Sequence, residues 1–134
     1  MVPQLETMFR KRKERPQIRI FEGKDELDRA YDEWFINKGE ALFMSTNKLS
    51  TEVFPRSFER QQLIPRSPEF KIRELVDESK EGFEYASKVR GEYHSFRFIP
   101  KNLLPFETDI GIFGNHTLIT SMKKEHFTID IESK

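Results

Sequence analysis

Leu27, Ala30, Tyr31, Trp34 and Phe35 recur at spacings of three and four, which places them on one face of an amphipathic helix. Asp25 and Glu26 stand at its start, where negative charge suits the helix dipole. Gly39 is placed for a left-handed C-terminal cap. Before this helix Ile18 and Ile20 alternate with Gln17 and Arg19, the pattern of a strand, and Gly23 ends it. After it the continuous apolar run Ala41-Leu42-Phe43-Met44 predicts a strand covered on both faces. Over residues 46–69, Val53, Phe54, Phe58 and Leu63 hint at a short helix, while Pro55, Pro65 and Pro68 break any long one. Phe70, Ile72, Leu75 and Val76 read as a third strand. Asp77 or Ser79 then caps a second helix carrying Phe83, Ala86 and Val89, in which Gly82 costs about 1 kcal/mol relative to alanine.

From His94 onward the periodicity is that of strands alone. Phe96 and Phe98 alternate with Ser95 and Arg97 up to Pro100, and the runs 108–113 and 116–122 flank Gly114-Asn115, a two-residue hairpin signal. A turn at 123–125 leads to Phe127, Ile129 and Ile131. The order β-α-β-(α)-β-α-β followed by a meander predicts an α/β fold with a largely parallel sheet extended by antiparallel strands.

Composition adds bounds. A chain of 134 residues is one domain's worth, and 13 phenylalanines supply bulky core material. The absence of cysteine excludes disulfides, thiolate nucleophiles and cysteine-based zinc sites, and fits a reducing compartment. No apolar h-region opens the chain and no run of about 18 apolar residues occurs, so the expected location is cytoplasmic, without membrane contact. Asn115-His116-Thr117 matches the glycosylation acceptor pattern, and without a secretion signal the match reads as chance. Charge sums to zero but is uneven: up to Lys24 seven basic residues face three acidic ones, and over 25–40 the sign reverses. The run Arg10, Lys11, Arg12, Lys13, Arg15 is either a nucleic-acid-binding arm or, the favoured reading, the solvated end of a short helix with Leu5, Met8 and Phe9 as its apolar face.

Chemistry is sparse. No Gly-rich phosphate loop opens a helix, and no Gly-x-Ser-x-Gly elbow is present. His94, His116 and His126 repeat no metal-ligand spacing and read as surface or strand-end residues, so no metal or other cofactor is expected. Arg73 and Glu74 lie near the end of a predicted strand, where α/β sheets often bind ligands; the alternative is a salt-bridged edge.

Two stretches carry a family resemblance. PQIRIFEGKDEL resembles the opening segment of the C-terminal effector domain of TrmB-type transcriptional regulators. FRFIPKNLLPFETDIGIFGNHTLITS, with the closing IDIES, is similar to that domain's later strands, and RELVDESKEGFEYASKVR fits between them. The resemblance covers nearly everything after Arg15, although 46–69 match poorly. It implies a phospholipase D-like mixed sheet with flanking helices and a C-terminal antiparallel meander, over residues 16–134. Residues 1–15 would be the tail of a linker helix. It further implies a sensor of a small-molecule ligand, a homodimer, and contact with DNA only through a separate winged-helix domain.

Phospholipase D enzymes use His-x-Lys followed by aspartate, and none of the three histidines here has lysine two positions on. Aligning the strand before Gly114-Asn115 puts Glu107, Asp109 and Gly114 at those places, where paired carboxylates would repel phosphate. The expectation is a regulatory domain that is not an enzyme. Glu107 and Asp109, two apart on a predicted strand, would share a face. The resemblance to phospholipase D-like proteins implies that in a dimer they would gather near a two-fold axis, with Arg97 as one compensating charge. The alternatives are a hydrolase using Glu107 and Asp109 as an acid/base pair, and a protein-interaction module.

Overall fold

The computed structural model describes residues 15–35, 39–103 and 107–133. The expected helix around Leu5, Met8 and Phe9 lies outside them.

The amphipathic run forms helix α1 (Lys24–Phe35), which follows strand β1 (Gln17–Glu22). Gly39 does not cap that helix within the described residues; it opens β2 (Gly39–Ser45) at a φ of 124°. The segment 46–69 resolves into two helices, α2 (Asn47–Val53) and α3 (Pro55–Leu63). Pro55 starts α3 instead of breaking a helix, because a first-turn residue needs no intrahelical N–H partner. Then come β3 (Phe70–Asp77), α4 (Lys80–Val89), β4 (His94–Ile99), a short 3-10 turn (Lys101–Leu103), and the meander β5 (Thr108–Phe113), β6 (His116–Ser121) and β7 (Phe127–Glu132).

Ser79 is the N-cap of α4, its Oγ accepting from the Gly82 amide at 3.0 Å. The predicted cost of Gly82 is offset here: a Cβ at this position would overlap the Asp77 carbonyl oxygen and press on Val76. At the hairpin, Gly114 has a φ of 51° and no non-glycine described residue has a positive one. This is the pattern of a II′ turn, with glycine at its first central position.

The seven strands form one mixed α/β sheet in the order β1-β7-β6-β5-β2-β3-β4. Only β2–β3 and β3–β4 are parallel; the other four contacts are antiparallel. The sheet is therefore less parallel than the alternation predicts, because β1 pairs with the last strand at the far edge and not with β2.

The helices pack on one face. Leu27, Ala30, Tyr31 and Trp34 of α1 join Val53 and Phe54 over Ala41, Ile72, Phe113 and Leu118 of the sheet. Aromatic rings link the layers: Tyr31 stacks on Phe54 at 3.9 Å, Phe58 on Tyr85 at 5.3 Å, and Tyr85 meets Phe96 edge-on at 5.8 Å. The opposite face has no described helix over it. Ile18 and Ile20 are 64% and 61% exposed, and Leu42, Leu75 and Ile112 are exposed as well. The apolar run of β2 is thus a central strand covered on one side only. A continuous hydrophobic stretch does not distinguish an interior sheet from a sheet whose second face is apolar and open.

Candidate functional site

Two places in the fold collect chemistry, one on each face of the sheet. On the open face, the register places Ile20, Ile129, Ile119, Ile110, Met44, Leu75 and Arg97 side by side across all seven strands. The neighbouring row runs Ile18, Ile131, Thr117, Ile112, Leu42, Arg73 and Ser95. On the β5-β2-β3-β4 half lies a hollow of about 720 Å³ over Leu42, Met44, Leu75, Ile110 and Ile112. Arg73 and Arg97 border it. Arg73 lies 3.6 Å from Glu40, and Arg97 has no ion-pair partner among the described residues.

On the covered face lies a buried polar network. Glu74 is 8% exposed and accepts from Ser45 Oγ at 3.0 Å, Tyr85 Oη at 2.9 Å and His94 Nε2 at 2.8 Å. The histidine tautomer follows from its other side: Arg66 Nε, always a donor, lies 3.3 Å from His94 Nδ1, which must accept and leaves the proton on Nε2. Gln61 closes the ring, donating to Tyr85 Oη at 3.3 Å and accepting from Arg66 at 3.0 Å. Burial pushes the Tyr85 hydroxyl well above its ordinary pKa, with the Glu74 charge adding to the shift. Burial also lowers Arg66.

Asp109 occupies the same layer with fewer partners. Its carboxylate is 3% exposed; Oδ2 accepts from Tyr31 Oη at 2.9 Å, and Oδ1 has no hydrogen-bond partner. Tyr31 continues through Thr120 to Thr128, both contacts at 2.8 Å. Burial raises the Asp109 pKa to about 7; the Tyr31 hydrogen bond opposes the rise and the Glu74 charge adds to it. Between Asp109 and Glu74 is a small hollow of about 20 Å³, lined also by Tyr31, Ser45, Ser50 and Gln61 and walled by Phe43, Phe54 and Phe58. Ser45 is the last residue of β2, so the hollow sits at the carboxyl end of a parallel strand, the general position of ligands in α/β sheets.

The five residues singled out in the sequence are therefore divided. Arg73 and Arg97 come together on the open face. Glu74, adjacent to Arg73 in sequence, points to the covered face, and Arg73 pairs with Glu40 instead. Glu74 and Asp109 line one hollow. Glu107 does not join Asp109 in a shared exposed pocket: it precedes β5 and pairs with Lys123 at 2.7 Å, while Asp109 faces the interior. His94 is at a strand start as expected but buried, and His116 Nδ1 donates to the carboxylate of the buried Asp130 at 2.9 Å. Asp130 is held further by Arg19 at 2.8 Å. Tyr31, Tyr85, His94 and Asp130 were not legible as site residues. A signal existed for one of them: period two puts His94 on one face with Phe96 and Phe98.

Among the described residues no group of three or more His, Asp or Glu gathers as a metal site, and no helix is long and apolar enough to cross a membrane. No family model matches the sequence, and no curated protein does. Among solved structures, the fold is similar to that of TrmBL2, an archaeal chromatin protein whose structure shows a novel mode of DNA binding. The TM-score is 0.56 at 10% identity, over 88% of this chain and 44% of that one. The chain thus spans less than half the length of this neighbour. At that identity the likeness is one of fold, and at that level it agrees with the TrmB-type resemblance read from residue 16 onward.

Proposed function

We propose that this chain is the effector domain of a TrmB-type transcriptional regulator, of phospholipase D-like fold, which senses a small molecule and dimerises. DNA is then reached through a separate winged-helix domain, in the cytoplasm. The shared fold with an archaeal chromatin protein supports the regulatory reading. The observation that carries the ligand is the hollow on the open sheet face. Its volume, about 720 Å³, lies within the usual range of small-molecule sites. Apolar walls with two guanidinium groups at one border suit a ligand with an apolar body and a carboxylate or phosphate end.

In this reading the domain performs no catalysis. The places that resemble the histidine and lysine of phospholipase D carry Glu107 and Asp109, the first ion-paired and the second buried. Neither is a nucleophile for a phosphodiester or a cation for its charge. The β1 and β7 half of the open face, with Ile18, Ile20, Ile129 and Ile131, supplies the surface for a second copy.

Calorimetric titration with decanoate as the probe tests the ligand seat. Wild type should bind it, and Arg73→Ala with Arg97→Ala should weaken binding about tenfold or more, the loss of one or two charge-assisted hydrogen bonds. Equal affinity of the two proteins, or no binding by either, would sink the assignment of this hollow.

A further inference from the structure

The hollow of about 20 Å³ between Asp109 and Glu74 is a separate feature from the open face, on the other side of the sheet. Its size admits one water-sized occupant, which needs a volume of at least about 10–15 Å³ and two to four polar partners. Asp109, Glu74, Tyr31, Ser45, Ser50 and Gln61 offer those partners. The charges around it are not balanced. Glu74 has three donors, whereas Asp109 Oδ1, in a carboxylate 3% exposed, has none, and Asp109 has no ion-pair partner among the described residues. An ionised carboxylate buried beside another and lacking a counter-charge is costly.

We propose that this hollow binds a single small monovalent cation of sodium size, held between Asp109 Oδ1 and Glu74 with neutral side-chain oxygens of Ser45 and Tyr31 beside it. Sodium fits because it takes oxygen ligands and the hollow holds one water-sized body. A magnesium ion, which one or two carboxylates can hold, keeps several waters for which a hollow of about 20 Å³ has no room. The occupant neutralises Asp109 in its charged form, so cation and proton compete for the same carboxylate. The titratable groups facing Asp109 are Tyr31 from α1 and Glu74 from β3; behind Glu74 stand Tyr85 from α4, His94 from β4 and Arg66 after α3. α2 presents Ser50, α3 Gln61, β2 Ser45 and β6 Thr120, none of which titrates in the working range.

The test is thermal unfolding of the whole chain in sodium chloride and in choline chloride at equal ionic strength, at pH 8 and at pH 5. At pH 8 sodium should raise the midpoint by about 4 °C over choline, the shift given by roughly tenfold excess over the dissociation constant in a domain of this size. At pH 5, where Asp109 keeps its proton, the difference should vanish. In Asp109→Asn it should be absent at both pH values. Equal midpoints in sodium and choline for wild type at pH 8 would overturn the proposal and leave water as the occupant. A sodium effect that survives in Asp109→Asn, or persists undiminished at pH 5, would overturn it equally, placing the ion elsewhere. Because the wild-type series stands alone, the proposal remains testable should the variant fail to fold.

Discussion

Asp109 and Glu74 line one hollow, yet the fold treats them differently. Glu74 is surrounded by donors from three elements, Ser45 of β2, Tyr85 of α4 and His94 of β4, so its charge is solvated by the protein. Asp109 has the Tyr31 hydroxyl on Oδ2 and a smaller contribution from the Ile110 amide, with no hydrogen-bond partner on Oδ1, so burial dominates and its pKa rises to about 7. The linkage has a definite sign. Below about pH 4 both folded and unfolded chains hold the proton. Between there and pH 7 the folded chain holds it and the unfolded chain does not, so the unfolded state binds fewer protons and stability falls as pH rises. The slope contributed by this one group is about −1.4 kcal/mol per pH unit, flattening above its folded pKa. Denaturant unfolding in choline chloride from pH 4 to 8 should show that fall, and Asp109→Asn should remove it. A wild-type profile with the same slope as the variant would place the ionisation elsewhere. The residue itself was legible in the sequence as one of a suspicious pair. Its setting was not, because alternation along a strand tells which residues share a face and not which face a helix will cover.

At the scale of elements, the junction from β3 to α4 shows how a propensity argument changes sign in context. Read locally, Gly82 is a weak point in a helix. In the structure it lies where the first turn of α4 passes the Asp77 carbonyl, with Ser79 capping the amide of Gly82 itself. Gly82→Ala should therefore destabilise the fold by roughly 2 kcal/mol or more, by overpacking against backbone that cannot yield, instead of stabilising it by the about 1 kcal/mol that helix propensity predicts. Urea unfolding of the variant decides between the two signs, and a raised midpoint would refute the close approach. The stretch 46–69 was opaque for a related reason. Pro55 looks like a breaker until the residue before it ends one helix and the proline starts the next. The helix face of α1, the strands and the hairpin at Gly114-Asn115 were readable because each rests on a local period or a two-residue signal. Sheet order was not, since the pairing of β1 with β7 joins residues more than a hundred positions apart.

For the whole molecule, the unequal faces of the sheet are the dominant feature. One face carries four helices and the core; the other presents two uninterrupted rows that stay uncharged from β1 to β2, with guanidinium groups only on β3 and β4. Apolar patches on monomeric soluble proteins rarely exceed a few hundred Å². Six inter-strand steps of about 4.8 Å across the sheet and two rows along it already approach that size. Stable association needs about 800 Å² from each partner, more than a patch of a few hundred Å² supplies. A twofold pairing of this face would therefore leave little margin, and one charge placed within it should suffice to abolish it. Ile20→Lys puts an ammonium at an exposed end of one row, away from the helices and from the hollow beside Arg73 and Arg97. Sedimentation velocity over a range of concentrations should show wild type as a dimer and Ile20→Lys as a folded monomer, whose unfolding midpoint, unlike that of wild type, does not depend on protein concentration. A wild-type chain that sediments as a monomer throughout would remove the second copy from this face and leave the hollow, with its two arginines, as the only part of it assigned a partner.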